Sequence, residues 1–221
     1  PVHPVLAERF GPILARTERE MKKKIGTAAV AMGTADETPG GGAIGRLLRE
    51  SIRKATGADL VLHGALTSES LEKGEITEKE LWRIVPFENR LGVASLTWGE
   101  VRLLLEENLE RGERRVMGVS GARALLDPQA AAGSRIVSLT LPDGTTPHPR
   151  RRFRVAINSY ALASAGGRFP ELRRLTGRPE ARLTLLDLQT RDAVREAIRS
   201  MSPLDFSDRP SDGFHLRPPQ R

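Results

Sequence analysis

The chain contains no cysteine, one tyrosine and only 4% aromatic residues in 221 positions. The missing cysteine removes disulfides, thiolate metal sites and cysteine nucleophiles, and leaves the redox compartment open. No run of about 18 apolar residues occurs, so no helix of the membrane-spanning kind is expected. Histidine is scarce and scattered, at His3, His63, His148 and His215. HExxH, GxSxG and Walker-type loops are all lacking. A two-metal phosphatase centre needs several His, Asp and Asn ligands gathered at strand ends, and no such cluster is legible. A self-contained metallohydrolase is therefore not expected.

What is present is a foldable, basic chain. Hydrophobic residues make up 38%, enough for a core, and Lys plus Arg outnumber Asp plus Glu by 35 to 28, a formal charge of +7. That balance favours anionic partners or, equally, an arginine-rich solvated surface. The arginines do not interleave with aromatics on one element, so a nucleic acid is not an expected partner. The start at Pro1 rather than Met is that expected of a processed or truncated product.

Helix and strand periodicities alternate along the chain. Residues 1–24 read as an amphipathic arm, with Leu6, Phe10, Ile13, Leu14, Thr17 and Met21 on one stripe and Gly26 as its stop. Residues 27–32 read as a strand. The glycines Gly40, Gly41 and Gly42 precede a helix marked by Ile44, Leu47, Leu48, Ser51 and Ile52, and residues 58–62 read as a buried strand. The glycine run suits an anion at a helix start, or a plain flexible connection. Thr77 with Glu80 and Thr97 with Glu100 are capping boxes, flanked by Ile76 and Leu81 and by Leu96 and Val101 as hydrophobic staples. Strands are expected at 91–96, within 116–126, at 135–141, at 153–157 and at 182–186. Asp143-Gly144 reads as a hairpin turn, residues 158–169 as a turn and glycine loop, and 202–221 as an extended tail.

Phe87, in the turn after Pro86, and Tyr160, at the start of another loop, lie outside any apolar periodicity. Two loop aromatics suit a planar base between them; singly, each suits a core plug. Trp82 and Trp98 lie on helices and read as core or rim residues.

Taken in order, these motifs resemble a known family. They are Asp59-Leu60-Val61-Leu62, Gly74-Glu75-Ile76-Thr77, Val85-Pro86-Phe87-Glu88-Asn89, Leu96-Thr97-Trp98-Gly99-Glu100, Val119-Ser120-Gly121, Asn158-Ser159-Tyr160 and Gly166-Gly167 ahead of Phe169. Over residues 25–201 the chain resembles the C-terminal, substrate-binding domain of the 5'-nucleotidase family. That family includes UDP-sugar hydrolases and 2',3'-cyclic-nucleotide phosphodiesterases. The resemblance implies an α+β fold, a mixed β-sheet flanked by helices, with 1–24 as an interdomain-type helical arm and 202–221 as a tail. It implies nucleotide catabolism by phosphoester hydrolysis, in which a separate metallophosphatase domain or polypeptide supplies the dimetal centre. In this chain no cofactor, metal ligand or catalytic residue is then expected, and the domain alone is not expected to be catalytically competent. A periplasmic or secreted setting is implied as well.

The implied substrate-binding residues are Phe87, Tyr160, Asn89, His63, Arg46, Gly166, Gly167 and Arg168. Several of them depart from the family pattern. The ligand loop Asn-x-Gly-Gly-x-Arg reads His63-Gly64-Ala65-Leu66-Thr67-Ser68, so its Asn is His63 and its Arg is Ser68. The Gly-Asn helix start reads Gly45-Arg46, and the late Gly-Gly-Asp-Gly-Phe reads Gly166-Gly167-Arg168-Phe169. Losing a bidentate Arg removes a strong charge-assisted contact. Either Arg46 or Arg168 replaces its charge from another direction, or the site has changed ligand or decayed into a non-catalytic interaction module.

Overall fold

A computed structural model describes residues 4–40, 42–110, 116–208 and 210–218. The 1–3 start of the arm and Gly41 of the glycine run lie outside them. The chain is α+β. Its centre is a five-stranded mixed sheet, ordered β5 (Gly118–Ser120), β2 (Leu60–His63), β8 (Arg152–Asn158), β4 (Arg90–Thr97) and β9 (Thr184–Gln189). The strands β2 and β8 run parallel, and the other pairings are antiparallel.

Side-chain alternation divides this sheet between two cores. Leu60 and Leu62 of β2, with Phe153, Val155 and Ile157 of β8, join Val101, Leu104 and Leu105 of α4 (Trp98–Leu109) and Leu172 and Leu175 of α6 (Pro170–Thr176). Val61 and Ala156 face the other way and pack with Ile52 of α2 (Gly42–Thr56) and Ala193 of α7 (Thr190–Met201). A further cluster fills the space under a two-stranded ribbon, β1 (Lys24–Ala28) with β3 (Gly74–Thr77). It draws Ile25 and Ile76 from the ribbon, Leu47 and Leu48 from α2, Leu81 and Ile84 from α3 (Glu78–Ile84), and Ile198 from α7.

Both capping boxes form. The Thr97 hydroxyl accepts the Glu100 amide at 3.2 Å while the Glu100 carboxylate accepts the Thr97 amide at 2.8 Å. At α3 the Glu80 carboxylate accepts the Thr77 amide at 3.0 Å and also takes its hydroxyl. The staple residues Ile76, Leu81, Leu96 and Val101 are all buried.

Five expectations are corrected by tertiary contacts. The arm, α1 (Pro4–Met21), ends before Gly26, which lies instead inside β1, where a Cβ would meet the Ser202 hydroxyl and Ile198. The strand expected at 27–32 is thus shifted towards the N-terminus. The turn at Asp143-Gly144 forms, with Asp143 accepting the Thr145 amide at 2.9 Å, but it joins no hairpin. β7 (Ile136–Thr140) pairs with β6 (Arg123–Leu126) in a separate three-stranded sheet, while β8 enters the five-stranded one. The loop expected over 158–169 begins with a short helix, α5 (Ser159–Leu162), and α6 follows it. Finally, the tail carries a strand: β10 (Gly213–Leu216) runs parallel to β6, and Asp212 just before it accepts the Gly121 amide at 2.6 Å.

Gly45 makes a local test of this packing. A Cβ there would lie 2.0 Å from the Gly40 carbonyl oxygen. Alanine ordinarily stabilises a helix interior by about 1 kcal/mol over glycine. Here the sign should reverse, because backbone must move: Gly45→Ala is expected to destabilise the domain by about 1–3 kcal/mol, read from the urea midpoint at unchanged slope.

Candidate ligand cleft

Chain connections from one end of the five-stranded sheet, where β2 and β8 finish and β4 and β5 begin, supply the walls of an apolar cleft of about 300 Å³. Gly64, Ala65 and Leu66 come from the segment after β2, Phe87 and Asn89 from the turn after α3, and Met117 from the approach to β5. Asn158, Tyr160 and Ala161 come from the end of β8, with Ala165, Arg168 and Phe169 from the turn that follows.

The two loop aromatics are half exposed, Phe87 at 51% and Tyr160 at 49%. Neither is a core plug, and both line the cleft. Phe87 is held out by Pro86, which ends α3. The Asn89 carbonyl accepts the Thr190 amide at 2.8 Å, which ties its turn to α7. Tyr160 rides on α5, whose N-cap is Asn158; the Asn158 carboxamide oxygen accepts the Ala161 amide at 2.8 Å.

Three consecutive polar residues of α4 bind the backbone of three other segments, and the last two anchor cleft walls from behind. Glu106 accepts the amides of Ile136 at 2.7 Å and Arg135 at 3.1 Å. Glu107 accepts those of Glu171 at 2.7 Å and Leu172 at 3.2 Å, and so closes the N-terminus of α6. Asn108 pairs with the Met117 backbone in both directions, at 2.6 and 2.9 Å. All three are buried. Their sequence, Glu-Glu-Asn, has the composition of a solvated helix face, so the sequence reading passed over them and over Met117, which Asn108 positions.

Of the residues expected to bind, Phe87, Asn89, Tyr160 and Arg168 come together at the cleft. Arg168 is the only charged side chain among its lining residues. It donates from Nε to the Ala165 carbonyl at 2.9 Å and from one Nη to the Tyr160 hydroxyl at 3.1 Å. Gly166 and Gly167 lie on the same turn. His63 is not on the cleft wall; it is fully buried behind it, with Nδ1 at 2.7 Å from the Gly64 carbonyl and no partner at Nε2. Burial, and next to it the nearby Arg49 charge, push its pKa down to about 4 against the opposing pull of the Gly64 bond. The imidazole is therefore neutral at pH 7, with its proton on Nδ1.

Arg46 stands elsewhere, in a smaller cleft near the start of α2, paired with Asp36 at 2.7 Å and with the Phe206 carbonyl at 2.7 Å. There too is Arg49, which the sequence reading missed. It is buried, and it donates to the carbonyls of Gly40 at 2.7 Å and His63 at 3.1 Å and to the Ser120 hydroxyl at 3.2 Å. Its pKa is lowered to about 10 by burial, well above neutral, so it stays charged. The amide of Ile44, in the first turn of α2, donates to the Gly33 carbonyl at 3.1 Å. Among the described residues, no three His, Asp or Glu side chains gather in a way that would hold a metal ion.

An apolar cleft beyond the end of a mixed sheet, built from loops and lined by three aromatics and one arginine, has the form of a small-molecule site on an α+β domain. Residues 24–174 match the family described as 5'-nucleotidase, C-terminal domain, and the chain belongs to that family. Among solved structures, it is similar to a 5'-nucleotidase precursor from Thermus thermophilus, at 20% identity and a TM-score of 0.78 over 96% of this chain and 42% of that one. It is also similar to the NAD nucleotidase NadN of Haemophilus influenzae, at 16% identity and a TM-score of 0.72 over 99% and 42%. A curated relative, Endonuclease YhcR of Bacillus subtilis strain 168, is 25% identical over 146 residues, 66% of this chain and 12% of its own length. The chain thus spans less than half of each of these proteins.

Proposed function

We propose that this domain binds a nucleotide-type ligand with its base against Phe87 and Tyr160. It then offers the phosphoester to a metallophosphatase domain or polypeptide, which supplies the hydrolytic chemistry of nucleotide catabolism. The observation that carries this reading is the pair of half-exposed aromatics on an otherwise apolar, rigidly braced cleft. Base–aromatic stacking contributes about 1–3 kcal/mol per base.

The need for a second domain is supported by α1. Its stripe of Leu6, Phe10, Ile13 and Leu14 is exposed to solvent, at 44–61% of each residue. An apolar face of that kind suits burial against a partner. Two of the similar proteins are named as nucleotidases and are more than twice as long as this chain, which fits a division of labour between binding and catalysis. One of them is named a precursor, in keeping with a periplasmic or secreted setting.

The test is a thermal-shift series with AMP and a cyclic nucleotide. The wild-type chain should show a rising Tm with ligand concentration. Phe87→Ala should weaken binding by about tenfold or more and erase the shift at moderate ligand. No shift in the wild type at millimolar ligand would sink the proposal.

One observation favours a second reading, an interaction module with a degenerate pocket. The segment after β2 gives the cleft only Gly64, Ala65 and Leu66, with no polar side chain. Stable co-purification with a metallophosphatase in the absence of any nucleotide binding would decide for it.

A further inference from the structure

The turn between α5 and α6 has an unusual backbone. Four successive residues take positive φ: Ser164 at 71°, Ala165 at 46°, Gly166 at 73° and Gly167 at 87°. Residues with a side chain avoid this region, and Ser164 and Ala165 adopt it while buried. Such outliers gather where a backbone is shaped for a ligand.

The hydrogen bonds show what that shape exposes. The amides of Ala163, Ser164 and Ala165 turn back onto α5, at 2.8–3.0 Å from the carbonyls of Ser159, Ala161 and Tyr160. Those of Arg168 and Phe169 both reach the Ser164 carbonyl, at 2.7 and 3.1 Å. The amides of Gly166 and Gly167, between them, donate to no acceptor among the described residues. A Cβ built on either glycine meets nothing within 4 Å, so the space beside both is open. Successive unengaged amides on a left-handed turn form a concavity suited to an anion.

Arg168 closes this turn and is the single charge on the cleft wall. Its guanidinium is held at the hydroxyl edge of Tyr160, with the carbon 5.7 Å from the ring centroid. It makes no ion pair among the described residues. The acid on the adjoining helix, Glu171, is taken by Arg174 at 2.6 Å, and Glu88 beside Phe87 acts on Arg191 instead. No carboxylate lines the cleft. The cleft wall therefore carries one positioned positive charge beside the Tyr160 ring, and the unengaged amides of Gly166 and Gly167 lie at its rim, in the turn between Ala165 and Arg168 that line it.

We propose that Arg168 and the Gly166-Gly167 amides form a subsite for a second anionic group of the ligand, a phosphate carried on the sugar of the stacked nucleoside. This rests on the nucleotide reading above and narrows it. In that reading the phosphoester to be cut points out towards a partner, so the group held by Arg168 is a different one. The ligand class is then a nucleoside with a second phosphate on its ribose, probed as adenosine 3',5'-bisphosphate, in preference to a 5'-monophosphate. A guanidinium fork with neighbouring amides matches a dianionic phosphate better than a neutral hydroxyl.

Isothermal titration calorimetry on the whole chain, with adenosine, 5'-AMP, 5'-GMP and adenosine 3',5'-bisphosphate, tests the assignment. The bisphosphate is expected to bind about tenfold more tightly than 5'-AMP, the scale of one charge-assisted contact. Arg168→Gln should level the two. Equal affinities in the wild type, or an advantage that survives in Arg168→Gln, would overturn the subsite. So would a preference that follows the base, with 5'-GMP ahead of the bisphosphate, because the arginine would then be reading a base edge. Should the variant fail to fold, the wild-type series decides alone. Binding of adenosine and 5'-AMP that depends on Phe87, without a bisphosphate advantage, removes the subsite and leaves the nucleotide reading intact. Absence of all binding in the wild type removes both.

Discussion

Arg49→Met is expected to destabilise the domain by about 2–4 kcal/mol, seen as a lowered urea midpoint and a Tm lower by several degrees. Two opposing effects set that figure. The guanidinium is buried at a cost, visible in a pKa lowered from its ordinary value to about 10, and methionine removes that cost of about 3 kcal/mol. It also removes the donors to the Gly40 carbonyl, the His63 carbonyl and the Ser120 hydroxyl, at 2.7, 3.1 and 3.2 Å. Each buried acceptor left without a partner costs about 1–3 kcal/mol, so the losses outweigh the relief. Arg49→Lys should recover little, since one ammonium on a shorter stem does not reproduce a planar fork that serves three segments at once. A variant as stable as the wild type would show that these contacts are incidental.

A second large effect should follow acidification. His63 has an ordinary pKa of 6.5 in the unfolded chain and about 4 in the folded one. Between these values the unfolded state binds the proton and the folded state does not, so stability falls as pH drops from 6.5 to 4. The full contribution is present above pH 6.5, and about 3 kcal/mol of it is gone by pH 4. Carboxylates titrate over the same range, so the informative quantity is the difference from His63→Asn, in which this contribution is abolished. Urea denaturation of both proteins at pH 7, 5.5 and 4 should show the wild type losing more stability than the variant. Parallel curves would mean that the Nε2 atom finds a proton acceptor after all. The pocket wall should feel the same proton, because the His63 ring is fastened to the carbonyl of Gly64, which lines the cleft.

The strongest local signals in the sequence carried through to the fold. Both capping boxes, the paired staples and the apolar strands at β2, β4 and β8 depend on neighbours within a few residues, and each stands where its spacing put it. Phe87 and Tyr160 were conspicuous because they broke the apolar periodicity, and they do line one cleft. What was illegible depended on distant partners. Arg49 looks like any helical arginine until Ser120, 71 residues away, is placed beside it. One sign was available: Gly45, a turn earlier on the same side of α2, marks a face too crowded for a Cβ. The Glu106-Glu107-Asn108 run hid in the same way, since its charges are answered by backbone amides that no side-chain pattern records. The turn at Asp143-Gly144 was read correctly as a turn and wrongly as a hairpin, because its local hydrogen bonds do not specify which sheet receives the next strand. His63 and Arg46 were grouped with the cleft by the family resemblance alone. Burial takes one behind the wall, and Asp36 holds the other in a different recess.

The parallel pairing of β10 with β6 also bears on how the polypeptide is made. Strand β6 is the middle member of its sheet, bounded by β7 on one side and by β10 on the other. During synthesis β7 follows it almost at once, whereas β10 emerges only after the whole of β8, β9 and α7. Until then one margin of β6 lacks its ladder and the Gly121 amide lacks Asp212. A ribosome-bound chain is therefore left with an unprotected strand margin until that segment is made, the kind of surface that recruits other strands. Strand β10 acts as a closing seam, and exposure of the β6 margin ends only when this sequence-distant segment has docked.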